Sequence, residues 1–166
     1  RLYNLFLSEL GEGGADLYKE SLKDKEGFVE NGILNMKRVL EKFTVHFHDI
    51  YGDCDGDFLE EDGRKYFLLY LRPIINGTGN YYIEARTRNL RRTDVIVDYN
   101  GVQYIIEMKI WHGEEYHRRG EEQLAGYLED YHQKQGYLIS FNFNKNKKPG
   151  IREVRIKDKT IIEAVI

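Results

Sequence analysis

Cys54 is the only cysteine, so no disulfide can close within the chain and a cysteine-built zinc cluster is excluded. That usage fits a reducing compartment, and we expect a cytoplasmic protein. No apolar run approaches the roughly 20 residues that cross a bilayer, and no signal-peptide pattern opens the sequence. Basic charge is not in excess either: 25 basic against 28 acidic residues leave a net charge of −3, which weighs against nonspecific nucleic-acid binding but leaves room for a local basic patch. With only two prolines and no long polar tract, the composition does not suit disorder. Two tempting motifs are incomplete. "GEGGAD" lacks the Lys-Ser/Thr of a phosphate loop, and "DCDGDFLEEDGR" has Phe58 and Arg64 where a calcium loop requires Gly and Glu.

What is present is a chain of 166 residues, long enough to bury one core. "RLYNLFLSEL", "ADLYKESLKD" and "NGILNMKRVLEKFTVHF" carry helical spacing, the last through Ile33, Met36, Leu40 and Phe43. They make residues 1–52 a helical N-terminal segment. Because the chain opens on Arg1 inside a helical stretch, we expect it to be a piece of something longer. Residues 53–166 read as an α/β domain. A helix through "FLEEDGRKYFLLYLRPI" is expected to stop near Pro73. Strands follow at "YYIEART", "RTDVIVDY" and "VQYIIEMKIW", then a charged helix "EEYHRRGEEQLAGYLEDYHQKQ" ended by Gly136. "GYLISFNF", "IREVRI" and "KTIIEAVI" are three more strands. From Phe58 to Phe143 the order is α-β-β-β-α-β.

Charge inside this β sequence is the informative feature. Asn100-Gly101 between alternating apolar runs is the strongest short-range signal of a two-residue hairpin, and it sets the register: Tyr99 faces Val102, Ile96 faces Ile105 and Asp94 faces Glu107. Facing residues share a side of the sheet with Cβ atoms about 4.5 to 5.5 Å apart, so two carboxylates are held against each other at a cost. A divalent cation reverses that cost, and carboxylate oxygens are what magnesium or manganese selects. Lys109, two residues beyond Glu107, shares its face and is suited to orient a metal-bound water or to stabilise an anionic transition state.

An Asp on the second strand, then Glu107-Met108-Lys109 on the third, resembles the PD-(D/E)XK nuclease superfamily. "QLAGY" in the following helix is similar to the Gln-x-x-x-Tyr element of its RecB-like branch, which implies that Gln123 and Tyr127 lie beside the catalytic centre. From Phe58 to Lys148 the chain looks like the nuclease-like domain at the C-terminal end of bacterial AAA-ATPase-like proteins. The resemblance implies a restriction-endonuclease-like α-β-β-β-α-β core with a mixed central sheet, magnesium or manganese as cofactor, DNA as substrate, and an AAA-type ATPase region on the same full-length chain. It also implies a third carboxylate on the helix before the strands. Glu60 and Glu61 are the candidates, and Glu60 is favoured because Phe67 and Leu71 lie below it at helical spacing. The pattern departs at two places: Thr93 stands where the superfamily has proline, and Arg92-Thr93-Asp94 replaces Gly-Arg-x-Asp.

Arg86, Arg88, Arg91 and Arg92 concentrate positive charge beside the acids, where a phosphodiester would dock. Arg118, Arg119, Lys145, Lys147 and Lys148 extend that track if the fold brings them to one side. The expected activity is metal-dependent phosphodiester hydrolysis, with Asp94, Glu107 and Glu60 holding the metal. The alternative is an inactive nuclease-fold module that binds nucleic acid or a partner and is attached to the ATPase. The net charge of −3, and a third carboxylate with two candidates, favour the latter.

Overall fold

The computed structural model describes residues 16, 17, 19–21, 23, 25–51, 58, 60–85 and 93–166. After a 3-10 turn, Lys25–Phe28, come two short strands, β1 (Val29–Glu30) and β2 (Ile33–Leu34), and the helix α1 (Met36–Tyr51). Then follow α2 (Glu60–Ile75), β3 (Gly79–Ala85), β4 (Thr93–Tyr99), β5 (Val102–Ile110), α3 (Glu114–Asp130), β6 (Gln135–Phe141), β7 (Gly150–Ile156) and β8 (Lys159–Val165). The expected α-β-β-β-α-β order is therefore present from α2 to β6, with two strands after it. The expected first helix, residues 1–10, and the acidic turn at 52–57 lie outside the described residues.

Six strands form one mixed sheet in the order β3-β4-β5-β6-β8-β7. β5, β6 and β8 run parallel at its centre, while the β3-β4-β5 meander and the β7-β8 hairpin supply the antiparallel flanks. Parallel neighbours need a crossover, and α3 is the one between β5 and β6.

Alternation assigns the two faces. Ile106, Met108, Tyr137, Ile139, Phe141, Ile162 and Ala164 pack with α1 and α2 in the larger core. Ile96, Ile105, Leu138 and Ile161 point the other way, onto Leu124, Tyr127 and Leu128 of α3. Leu17, Phe28, Leu34, Met36, Leu40 and Phe43 also enter the larger core, so the described part of the N-terminal segment shares its core with the sheet.

Local expectations differ from the fold in three places. The third helix does not begin at Asn31: Asn31 (φ 53°) and Gly32 (φ 77°) form a hairpin turn, Ile33 is exposed, and the helix starts only after Asn35, whose side-chain oxygen accepts from the Arg38 N–H at 3.1 Å. α2 runs through Pro73 to Ile75, two residues past the proline where its stop is expected. α3 stops at Asp130, well before Gly136. His132 takes the left-handed conformation (φ 56°), and the N–H groups of His132 and Gln133 return to the carbonyls of Glu129 and Leu128.

Candidate functional site

The β4-β5 hairpin turns at Asn100 (φ 48°) and Gly101 (φ 81°), and its register pairs Asp94 with Glu107, Ile96 with Ile105 and Tyr99 with Val102, as the turn chemistry requires. Continuing the register through the sheet gives a longer pattern. Glu84, Asp94, Glu107, Leu138, Glu163 and Arg152 occupy one transverse row of backbone positions, strand to strand. Four of its six positions are acidic. The side chains of Glu84 and Asp94 lie outside the described residues; those of Glu107 and Glu163 are buried, 3% and 1% exposed.

Lys109 lies two positions further along on the same face, beside Ser140 of β6. Its side chain is 1% exposed and runs beneath α3, with Nζ 4.7 Å from the centre of the Tyr116 ring. Gly120 makes this possible. A Cβ there would fall 1.5 Å from Lys109 Nζ, so the lysine occupies the space that any other helix residue would fill.

α3 then brings a second group onto the same face. His117 and Glu121, one turn apart, meet Glu163 of β8: His117 Nε2 is 2.5 Å from one Glu163 oxygen and 3.9 Å from a Glu121 oxygen. The other Glu163 oxygen accepts from Arg152 Nε at 2.6 Å. Burial pushes the Glu163 carboxyl up, but the His117 ring and the Arg152 guanidinium outweigh it and hold the group below the usual carboxylate range. Glu121 goes the other way: burial raises it and the Glu163 charge adds to the rise, against the opposing charges of His117, Arg152 and Lys109. One donor atom from each of His117, Glu121 and Glu163 lies within 4.8 Å of the others, so these residues can hold a metal ion. They open onto a cleft of about 790 Å³ whose walls include Arg118, Lys148 and Arg152.

The expected site residues are thus partly brought together. Glu107 and Lys109 are buried on the α3 face, and the Asp94 position is in register with them. Tyr127 is buried against Ile96 and Ile105, with its ring 4.6 Å from that of Tyr131, while Gln123 is exposed. Glu60 opens α2, and Phe67 and Leu71 do bring that helix onto the sheet, but on the face opposite Glu107. Gly63, one turn in, lies against Phe141 at the carboxyl end of β6, so α2 begins at the same end of the strands as Lys109. The side chain of Glu60 lies outside the described residues, as do Arg86, Arg88, Arg91 and Arg92; Glu61 is exposed. Of the further basic residues, Arg118 and Lys148 reach the cleft.

His117, Gly120, Glu121 and Glu163 were not singled out by sequence reasoning. A histidine and a glutamate four apart, and a glycine inside a helix, are the two signals that "YHRRGEEQ" contained. No family model, curated protein or solved structure matches this chain. Among the described residues, no helix is long and apolar enough to cross a membrane.

Proposed function

We propose that this chain is a magnesium- or manganese-dependent phosphodiesterase acting on DNA, with a restriction-endonuclease-like core. The observation that supports it best is the pairing of the Asp94 position with Glu107, with Lys109 on the same face, at the carboxyl end of parallel strands. Open α/β sheets bind ligands at that end. Two facing carboxylates form an oxygen-donor set suited to a hard dication, and the cost of their mutual repulsion disappears when a cation lies between them. When bound, the cation would supply Lewis acidity toward water and toward the departing oxygen. Asp94 and Glu107 hold it, and Glu60 is the third carboxylate assigned by resemblance. Lys109 orients the attacking water and neutralises charge on the phosphoryl oxygens. Gln123, exposed on α3, is available to a phosphate oxygen, and Tyr127 supports the face from below. The arginines at 86, 88, 91 and 92 contact the nucleic-acid backbone. In this reading an AAA-type ATPase region lies on the same full-length chain.

A second reading, a nuclease-fold module that binds without turnover, draws on the nearly complete burial of Glu107 and Lys109 beneath α3, which leaves little access to a substrate. Cleavage of single- and double-stranded DNA at low salt, with magnesium, manganese or chelator, separates the two. Lys109→Ala is expected to abolish cleavage and keep calorimetric metal binding, because an ammonium is no ligand, whereas Glu107→Ala loses both. Metal binding without any cleavage by the wild type would favour the binding module. No binding of either ion would remove the metal-site reading.

A further inference from the structure

We propose that His117, Glu121 and Glu163 form a second divalent-metal site, independent of the Asp94-Glu107 pair, for a borderline first-row dication, zinc above all. One imidazole nitrogen and two carboxylates, with a side open to solvent, is a donor set that zinc accepts and that magnesium, which prefers oxygen, does not select. Glu107 and Glu163 are separated by one intervening strand, so their backbones lie about 9 to 10 Å apart at the usual strand spacing. The donor atoms of His117, Glu121 and Glu163 converge within 4.8 Å of one another without Glu107, so the group can hold an ion by itself.

The bland account of this cluster is a buried ion network, with Glu163 held between His117 and Arg152. It satisfies Glu163 and leaves the rest unexplained. His117 is 4% exposed and Glu121 7%, yet both ring nitrogens of His117 and one Glu121 oxygen lack a hydrogen-bond partner among the described residues. His117 Nε2 comes within 2.5 Å of a Glu163 oxygen, but not along the direction in which its hydrogen would point. The two atoms stand closer than ligands of one ion do, so an ion entering between them would part them and replace the pair's contact with two coordination bonds. A dication bound by Nε2 and an oxygen from each glutamate can engage two of these three atoms, Nε2 and the Glu121 oxygen. Donor atoms around a tetrahedral zinc lie about 3.3 Å apart for bonds of about 2.0 to 2.1 Å, so the present spread of 4.8 Å needs only side-chain adjustment.

The surroundings are consistent with such a site. Arg152, on the second Glu163 oxygen, fixes that carboxylate from behind, as outer partners of metal ligands do. Lys109, beneath Gly120, and Arg152 are the nearby charges that oppose a cation, and they balance the two carboxylates, so binding rests on coordination by His117, Glu121 and Glu163. The cleft gives access and leaves a coordination position open, and Arg118 and Lys148 on its walls make that position favourable to an anion such as phosphate.

Calorimetric zinc titration of the metal-free chain tests the site. One equivalent is expected to bind to wild type and to persist in Asp94→Asn/Glu107→Gln, so failure of the phosphodiesterase reading leaves it untouched. His117→Gln and Glu121→Gln should each lose it, and with it the zinc-dependent rise in melting temperature seen for wild type. Zinc binding that is absent from wild type, lost in the double variant, or unaffected by both single substitutions overturns the proposal. Should both single variants fail to fold, histidine side-chain NMR of wild type decides: zinc must shift the imidazole signals of one buried histidine, and unchanged signals refute the site.

Discussion

The two faces of the central sheet are cut from the same strands and differ by one residue in phase. On β5 the even positions, Tyr104, Ile106 and Met108, enter a dry core, while the odd positions run Ile105, Glu107, Lys109. β6 and β8 repeat the pattern: Leu138 gives way to Ser140 and Ile161 to Glu163, each toward the carboxyl end of its strand. One face is therefore apolar through the middle and carboxyl ends of these three strands, and the other changes from apolar to polar or charged halfway up. A period-two structure can thus carry stability and chemistry in the same segment, since a substitution on one side leaves the other side's residues unchanged.

Three substitutions separate these roles. The largest loss should come from the dry face. Phe43 of α1 is fully buried against Phe47, Phe67 and Tyr70, and Phe43→Ala is expected to cost about 3 to 5 kcal/mol in chemical denaturation. A loss below about 1 kcal/mol would mean that the N-terminal helix is not part of the common core.

The same face should show a dependence on alkaline pH. Burial, with the neighbouring Tyr104 adding to it, pushes the Tyr137 phenol up to about 12 from 10. A raised folded value means that the fold favours the protonated ring. That contribution is complete below pH 10 and is lost as pH climbs from 10 through about 12, amounting to roughly 2 to 3 kcal/mol. Tyr137→Phe should therefore lose less stability than wild type across that window, in melts at stepped pH. Parallel pH curves for the two proteins would show that the phenol is not buried as described.

The smallest effect should fall on the polar face, where Gly120→Ala drives a methyl group into Lys109. Overpacking of about 1 to 3 kcal/mol, less the roughly 1 kcal/mol that alanine gains in a helix, leaves a net cost of about 0 to 2 kcal/mol. In a Lys109→Ala background the same change should become neutral or stabilising. Additive effects in this double-mutant cycle would show that lysine and helix do not meet there.

Much of this was legible in the sequence where local chemistry decides. Asn100-Gly101 admits one turn and one register, so the opposition of Asp94 and Glu107 needed no tertiary information. The same dipeptide at Asn31-Gly32 was absorbed into a helix, because its strands are only two residues long and Ile33 happens to fall in phase with Met36. Gly136 looked like the end of α3, yet His132 took the left-handed position, a conformation that glycine favours but does not monopolise. Glu163 could not be found locally. It joins the acidic row only because β8 inserts between β6 and β7, and no pattern within β8 reveals its neighbours.

The hairpin register also bears on the order of assembly. A two-residue turn lets β4 and β5 pair on the microsecond scale, about 1 to 10 μs for an isolated hairpin, whereas Glu163 reaches the row only through slower, long-range parallel pairing. Local pairing of this kind would bring the Asp94 and Glu107 positions together before α3 packs over Glu107. A dication present during refolding should then relieve the repulsion as the hairpin forms and speed refolding, a kinetic trace of the pair.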